Sequence, residues 1–220
     1  MGNILVIVFV VGFEFLARMN PNFESIAKFR NYDYVEPVYE LIAKQAERFK
    51  LNFPYVVPLL ISALIVVVAL LGYMLFGKFF NLVALLYCFR ELPHNAAENT
   101  FVEFNERYFA NLLYFALFGS FAVLLYNFVA IARIQHKELG KIHGVLAWVP
   151  ARLAAFTFAL VGSFSPVFKM WLTQAVNIQV SSSKILTDCG LAGVDDVNEK
   201  QIAERAFIAW AVLCIIILIV

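Results

Sequence analysis

Two long stretches without a charged side chain dominate the pattern of hydrophobic and polar positions along the chain. Residues 51–77 and 108–132 contain no Asp, Glu, Lys or Arg. At 1.5 Å per residue, a helix over even the shorter stretch rises more than the roughly 30 Å of a bilayer's hydrocarbon core. Each stretch therefore predicts a transmembrane helix.

Three shorter apolar runs cover residues 2–13, 153–168 and 206–220, and each needs polar neighbours or a helical extension to cross a membrane. The first run differs from a secretory signal peptide, because Glu14 and Arg18 follow it and no cleavage site does. We expect it to remain as a membrane helix. Asp196 and Glu199 have the spacing of a capping box, so one helix is predicted from about residue 197 into 220.

Residues 79–89 form a further apolar piece that is too short to cross alone, and after Gly77 they suit the return arm of a hairpin. Residues 133–152 carry four basic side chains and one acid, whereas residues 91–107 carry four acids and one base. By the positive-inside tendency, with a crossing at 108–132 between the two segments, the basic one faces the cytoplasm. The pattern predicts four to six crossings.

Composition agrees with a membrane protein. Of the 220 residues, 62% are apolar and 15% charged, and the mean hydropathy is +0.79. A formal net charge of +1 provides no basic field for nucleic acid. We therefore predict an all-α, polytopic membrane protein that forms a single embedded domain over residues 1–220. Residues 165–205 are expected to lie partly outside the membrane as short interfacial helices.

The sequence has little catalytic or metal-binding potential. Its three cysteines and three histidines are widely spaced, which argues against a metal site, and it has no phosphate-binding loop or nucleophile elbow. No cofactor is expected. One polar set, Glu98, Asn105, Glu106 and Arg107, is the candidate polar site, and the alternative for it is a solvated loop and helix start.

Two ionisable residues adjoin the apolar runs at membrane depth. Glu14 follows an uncharged run, and Arg152 precedes another. A charge in hydrocarbon costs at least about 2.5 to 3.5 kcal/mol, so each needs a countercharge, a water cavity or the interface. We predict that Glu14 and Arg152 pair, with snorkelling as the alternative, and that Pro150 frees backbone groups near Arg152.

Two blocks of sequence resemble a known family. Residues 104–119, which read FNERYFANLLYFALFG, are similar to a helix of AmpE-type inner-membrane proteins. Residues 148–153, WVPARL, which include Trp148 and Pro150, resemble a segment that AmpE proteins share with cobalamin-biosynthesis synthases of the CobD and CbiB type. Glu14 lies where those families carry an early acid. The resemblance implies a multi-pass protein of the bacterial inner membrane that is associated with signalling in beta-lactamase induction.

Three functions compete on this sequence. The first is an AmpE-like protein with a sensing, signalling or scaffolding role and no catalysis. The second is an accessory subunit of a larger membrane complex, for which the aromatic load of 23 Phe, 9 Tyr and 3 Trp suits packing against lipid or a partner. The third is a membrane enzyme related to the amide-forming synthases. The expected partners are the lipid bilayer and other inner-membrane proteins.

Overall fold

The computed structural model describes residues 2–19, 33–50, 55–89, 99–194 and 198–219, and all regular structure in these ranges is helical. This confirms the predicted all-α fold for the described residues. A π-helical turn, Asn105–Phe109, joins α5 to α6 without a break. In chain order the α-helices are α1 (Gly2–Met19), α2 (Val35–Arg48), α3 (Val56–Phe76), α4 (Lys78–Cys88), α5 (Thr100–Phe104), α6 (Ala110–Phe118), α7 (Ser120–Ala132), α8 (Leu139–Val161), α9 (Phe164–Gln174), α10 (Ser182–Ala192) and α11 (Glu199–Ile219).

Two of the described helices, α3 and α8, are long and apolar enough to cross a membrane by length and composition. The first is the helix predicted within residues 51–77. Only 11% of its apolar window is buried, against 50% for α8. Helix α3 therefore presents a broad apolar surface outward, whereas α8 lies among other helices.

Glycine residues with positive φ lie between two pairs of apolar helices. Gly77 separates α3 from α4 with a φ of 57°, and Gly119 separates α6 from α7 with a φ of 78°. Residues with a Cβ rarely adopt this conformation, which explains the glycine at both turns. The helices on either side of each glycine contact each other. Helix α4 is thus the return arm that was predicted over 79–89.

The prediction of one crossing helix over 108–132 is wrong. The run forms two helices, α6 and α7, that pack together, and its ends meet where Arg133 Nη2 lies 2.7 Å from Glu106 Oε1. These residues come from the basic and acidic segments that we expected on opposite sides of a membrane. A pattern of charge could not reveal the break, because glycine is as uncharged as the residues around it.

Helix α8 passes through Pro150 and includes residues 153–161 of the apolar run at 153–168. It contacts α9, α10 and α11 and also the π-helical turn. The segment predicted at the membrane interface corresponds mainly to α9 and α10, which bury Val167, Ile185 and Cys189 in the main core. These two helices therefore pack closely on α8, and the start of α10 with the chain that leads into it forms one side of the site described below.

Aromatic side chains hold the π-helical turn against α11. The rings of Tyr108 and Phe207 lie 4.8 Å apart between centroids, and those of Phe109 and Trp210 lie 6.1 Å apart edge to face. The indole of Trp210 donates a hydrogen bond of 2.9 Å to the Phe109 carbonyl. This packing fixes the backbone that carries the candidate site.

The start of α11 falls close to its predicted position. The helix begins at Glu199, and the side chain of Asn198 accepts a hydrogen bond from the Lys200 amide at 3.2 Å. Asp196 lies outside the described residues, so the predicted capping box remains a prediction.

Candidate functional site

The π-helical turn places two consecutive charged residues in different surroundings. A π-helical turn adds a residue to the helical repeat, and such turns are frequent at functional sites. Glu106 contacts α7 and α8, whereas Arg107 contacts α1 and the residue after α4. One turn of helix therefore carries both of the buried ion pairs described next.

The first ion pair joins Glu106 to Arg133 at the end of α7. The Arg133 Nη2 atom donates to both Glu106 carboxylate oxygens, at 2.7 and 2.8 Å. The Nη1 atom of the same guanidinium donates to His143 Nδ1 at 2.7 Å. Glu106 and His143 are only 5% and 3% exposed. A charge-assisted network at this burial holds α7, α8 and the π-helical turn in one geometry.

The contact with Arg133 determines the tautomer of His143. A guanidinium has donors only, so Nδ1 must accept and the imidazole proton must reside on Nε2. That Nε2 atom is 3.7 Å from Glu106 Oε1 and has no hydrogen-bond partner among the described residues. His143 is thus a neutral side chain with a buried N–H donor that is left without an acceptor.

The second ion pair joins Arg107 to Glu14 of α1. The Arg107 Nη2 atom lies 2.8 Å from Glu14 Oε1, and the Tyr108 hydroxyl donates to the same oxygen at 2.9 Å. Glu14 is 2% exposed. The early acid therefore has a countercharge, as its burial requires, but its partner in the structure is Arg107.

The predicted pairing of Glu14 with Arg152 is wrong. Arg152 donates to the carbonyls of Ala175, Asn177 and Val180, at 2.8, 3.0 and 3.0 Å. Ala175 ends helix α9, where the helix dipole places partial negative charge. Because neutral carbonyls and this dipole already satisfy the guanidinium, it needs no carboxylate. Its role is to fix the chain between α9 and α10.

The block at 148–153 builds a wall of the site. The Trp148 ring lies 4.2 Å from the Arg152 guanidinium carbon, a cation–π contact. Pro150 has no N–H to donate to the carbonyl of Leu146, one turn earlier in α8. The Tyr114 hydroxyl donates to that carbonyl at 2.6 Å. Pro150 thus does free a backbone group, and Tyr114, from the block at 104–119, satisfies it.

A cavity of about 710 Å³ lies against the first ion pair. Helix α8 and the chain leading into α10 supply most of its walls, and the apolar part of the lining exceeds the polar part. The polar and charged residues at its surface are Glu106, Arg133, Lys141, His143, Trp148 and Ser181, Ser182 and Ser183. Charged groups and unpartnered donors thus adjoin an apolar cavity, as in many ligand sites.

Two asparagines that sequence reasoning missed tie the π-helical turn to its neighbours. Asn111 donates to the carbonyls of Cys88 and Arg107, at 2.9 and 2.8 Å. Its own oxygen accepts from Asn127 at 2.6 Å. Amide pairs within an apolar run are the signal that could have identified them, because buried amides need partners.

The remaining members of the predicted polar site are placed as follows. Asn105 is 1% exposed, and its Oδ1 atom has no hydrogen-bond partner in the described part of the chain. Glu98 lies outside the described residues. The structure thus keeps Asn105, Glu106 and Arg107 on one helical turn, where the first two are buried and Arg107 is partly buried. The alternative of a solvated loop therefore does not hold for these three.

The three cysteines are not arranged for redox or nucleophilic chemistry. All three are buried and reduced, and burial, with the nearby Asp188 carboxylate, raises the pKa of Cys189 to about 12. Within residues 2–19, 33–50, 55–89, 99–194 and 198–219, no group of three or more His, Cys, Asp or Glu side chains is placed to hold a metal ion.

No protein-family model, curated protein or solved structure matches this chain.

Proposed function

We propose that this chain is an AmpE-like, multi-pass protein of the bacterial inner membrane that senses a small molecule and signals to other membrane proteins, without catalysis. The length and composition of α3 and α8 support the membrane assignment, as does the outward apolar surface of α3. The resemblance rests on the two blocks of sequence at 104–119 and 148–153, and Tyr114 of the first block donates to the carbonyl of Leu146, two residues before the second block.

The observation that carries the sensing role is the buried network of Glu106, Arg133 and His143 beside the cavity. A catalytic acid or base needs a proton-transfer atom within hydrogen-bond reach of a substrate. Here both oxygens of Glu106 accept from one guanidinium, and Nδ1 of His143 accepts from the same group. The arrangement suits recognition of a ligand better than proton transfer.

The π-helical turn provides a physical connection from this cavity to the rest of the bundle. Glu106 belongs to the cavity network, and the next residue, Arg107, binds Glu14 of α1. A ligand that shifts Glu106 therefore also biases the contact between the turn and α1. The π-helical turn, which carries both ion pairs, is the element through which ligand binding in the cavity would affect partner proteins.

A reporter of beta-lactamase induction tests the proposed function. The chain is expressed in a bacterium that lacks its own AmpE protein, and beta-lactamase is measured after a cell-wall antibiotic is added. We expect the wild-type chain to restore induction and Glu106→Gln to lose it, because glutamine cannot form the charged bidentate contact with Arg133.

Glu40→Gln is the matched control, because Glu40 lies on α2, where its side chain is 57% exposed and its ion pair with Lys44 is on the surface. It should restore induction as well as wild type does. Membrane levels of each variant are compared by immunoblot, so that loss of signalling is separated from loss of protein. Equal induction by Glu106→Gln at equal protein level would overturn the sensing role of the network.

The membrane arrangement has its own test. The basic segment 133–152 remains predicted to face the cytoplasm from its lysine and arginine content. Lys141 is exposed, and the three native cysteines are buried, so Lys141→Cys introduces an accessible thiol. It should resist an impermeant maleimide in intact cells and react after permeabilisation. Labelling in intact cells would place this segment outside.

A further inference from the structure

We infer that the cavity beside Glu106 binds a phosphate monoester, as a lipid headgroup or as a soluble compound. This inference rests on the proposed function, since it names the ligand class of the sensing site. It is carried by donors without acceptors, by positive charge at the rim and by the apolar character of the walls.

Two buried N–H donors of the cavity lining lack acceptors in the described structure. His143 carries its proton on Nε2, and that atom has no hydrogen-bond partner. The indole Nε1 of Trp148 is also buried without a partner. A buried donor left unpaired costs free energy, and an oxygen-rich anion has acceptors only, so the two unpaired donors favour an anion at this cavity.

Positive charge and a helix N-terminus adjoin the same cavity. Lys141 lines it, and so do Ser182 and Ser183, the first two residues of α10. The first N–H groups of an α-helix have no partner within the helix, and its dipole favours an anion there. Lysine is a common partner of phosphate as a compact point charge.

Among the described residues, the cavity lining carries one carboxylate, and Arg133 neutralises it. Both oxygens of Glu106 accept hydrogen bonds from the Arg133 guanidinium, so the pair adds no net negative charge. The remaining charged side chain in the lining is Lys141. The cavity as a whole therefore favours an anion over a cation.

The walls and the volume suit a ligand that is larger than inorganic phosphate. The lining includes Val145 and Ile178, whose side chains are 76% and 82% exposed, and the partly buried Val180. Exposed apolar side chains beside a charged site match the organic part of a phosphate ester, such as the first carbons of an acyl chain. A cavity of about 710 Å³ has room for a headgroup and part of such a chain.

Calorimetric titration of the purified full-length chain in a neutral detergent tests the inference. The probes are dioctanoyl phosphatidic acid, glycerol 3-phosphate and dioctanoylglycerol, which share either the phosphate or the chains. We expect saturable binding of at least one phosphate probe and none of dioctanoylglycerol. Binding of phosphatidic acid alone would identify a lipid ligand, and equal binding of glycerol 3-phosphate would identify a soluble one.

Three variants separate a built site from nonspecific attraction. Lys141→Gln should weaken binding of the phosphate probes about fivefold, which is the upper end of what an exposed ion pair contributes. The control is Lys137→Gln, at an exposed lysine outside the cavity lining, and it should leave binding unchanged. His143→Asn keeps an acceptor near the Nδ1 position for Arg133 and removes the Nε2 donor. It should weaken binding about tenfold or more, as expected for a hydrogen bond to an anion.

Absence of binding by both phosphate probes overturns the inference, and so does binding that all three variants leave unchanged. The proposed function is judged separately by the induction reporter. Signalling that depends on Glu106 without phosphate binding would mean that the site senses another ligand. Phosphate binding by a chain that does not signal would leave the ligand assignment standing and remove the proposed role.

Discussion

Replacement of the Tyr114 hydroxyl tests whether this group replaces the hydrogen bond that Pro150 removes from α8. This hydroxyl donates to the Leu146 carbonyl, which Pro150 leaves without its usual partner in α8. Tyr114→Phe removes the donor and retains the ring, which lies 5.3 Å from the ring of Tyr126 between centroids. We expect it to destabilise the fold by about 1 to 3 kcal/mol, the cost of an acceptor left unpaired.

Pro150→Ala provides the second arm of a double-mutant cycle. An alanine at this position restores a backbone N–H that can donate to the Leu146 carbonyl. In that background Tyr114→Phe should cost less, by about 1 kcal/mol, because the carbonyl has another donor. Thermal unfolding in detergent measures the difference, at about 2 to 4 °C for each kcal/mol in a protein of this size.

Tyr73→Phe is the matched control, because Tyr73 is 50% exposed on α3 and its loss should change stability by less than about 0.5 kcal/mol. Additive effects of Tyr114→Phe and Pro150→Ala would refute the reasoning. They would mean that the hydroxyl does not replace the bond that proline removes.

Two further predictions concern the buried charges and the turn at Gly119. Glu14→Gln and Arg107→Gln should be non-additive in melting temperature by the equivalent of about 0.5 to 3 kcal/mol, whereas Glu14→Gln and Arg152→Gln should add, because the first two residues share an ion pair. The reverse pattern would restore the pairing with Arg152. Gly119→Ala should destabilise by about 1 to 2 kcal/mol through its φ of 78° alone, since a Cβ there meets nothing within 4 Å. The control Gly12→Ala, inside α1 with equally open surroundings, should be neutral or stabilising by up to about 1 kcal/mol in the same unfolding measurement.

The positions of α1, α3, α4 and α11 followed closely from the apolar runs, because burial or lipid contact is what makes a run apolar, whereas α2 lies outside any such run. The break at Gly119 did not, since one glycine in an uncharged run is compatible with a continuous helix. Its conformation depends on the packing of α6 against α7. That packing involves contacts such as Asn127 to Asn111, which no local pattern reports.

The candidate site was predicted in part. The polar set at 105–107 and the block at 148–153 were recognised as unusual, and both contribute to the cavity or its support. The partners were not predicted, because burial makes a charge need a countercharge without specifying which one. Arg152 obtained carbonyls from a helix end, and Arg133, read as a loop residue, became the partner of Glu106.

The hairpin of α6 and α7 has a consequence for the way such a chain enters a bilayer. Its charged residues, Glu106 and Arg133, lie together at the open end, and the tip at Gly119 and Ser120 carries no charge. Helix α7 has 13 residues, which corresponds to about 20 Å of rise, less than the roughly 30 Å of a hydrocarbon core. In the multi-pass arrangement proposed above, the hairpin can thus insert from one face as a re-entrant unit. In that case no charged side chain of the hairpin has to cross the hydrocarbon core during membrane insertion, and the tip does not have to reach the opposite surface of the bilayer.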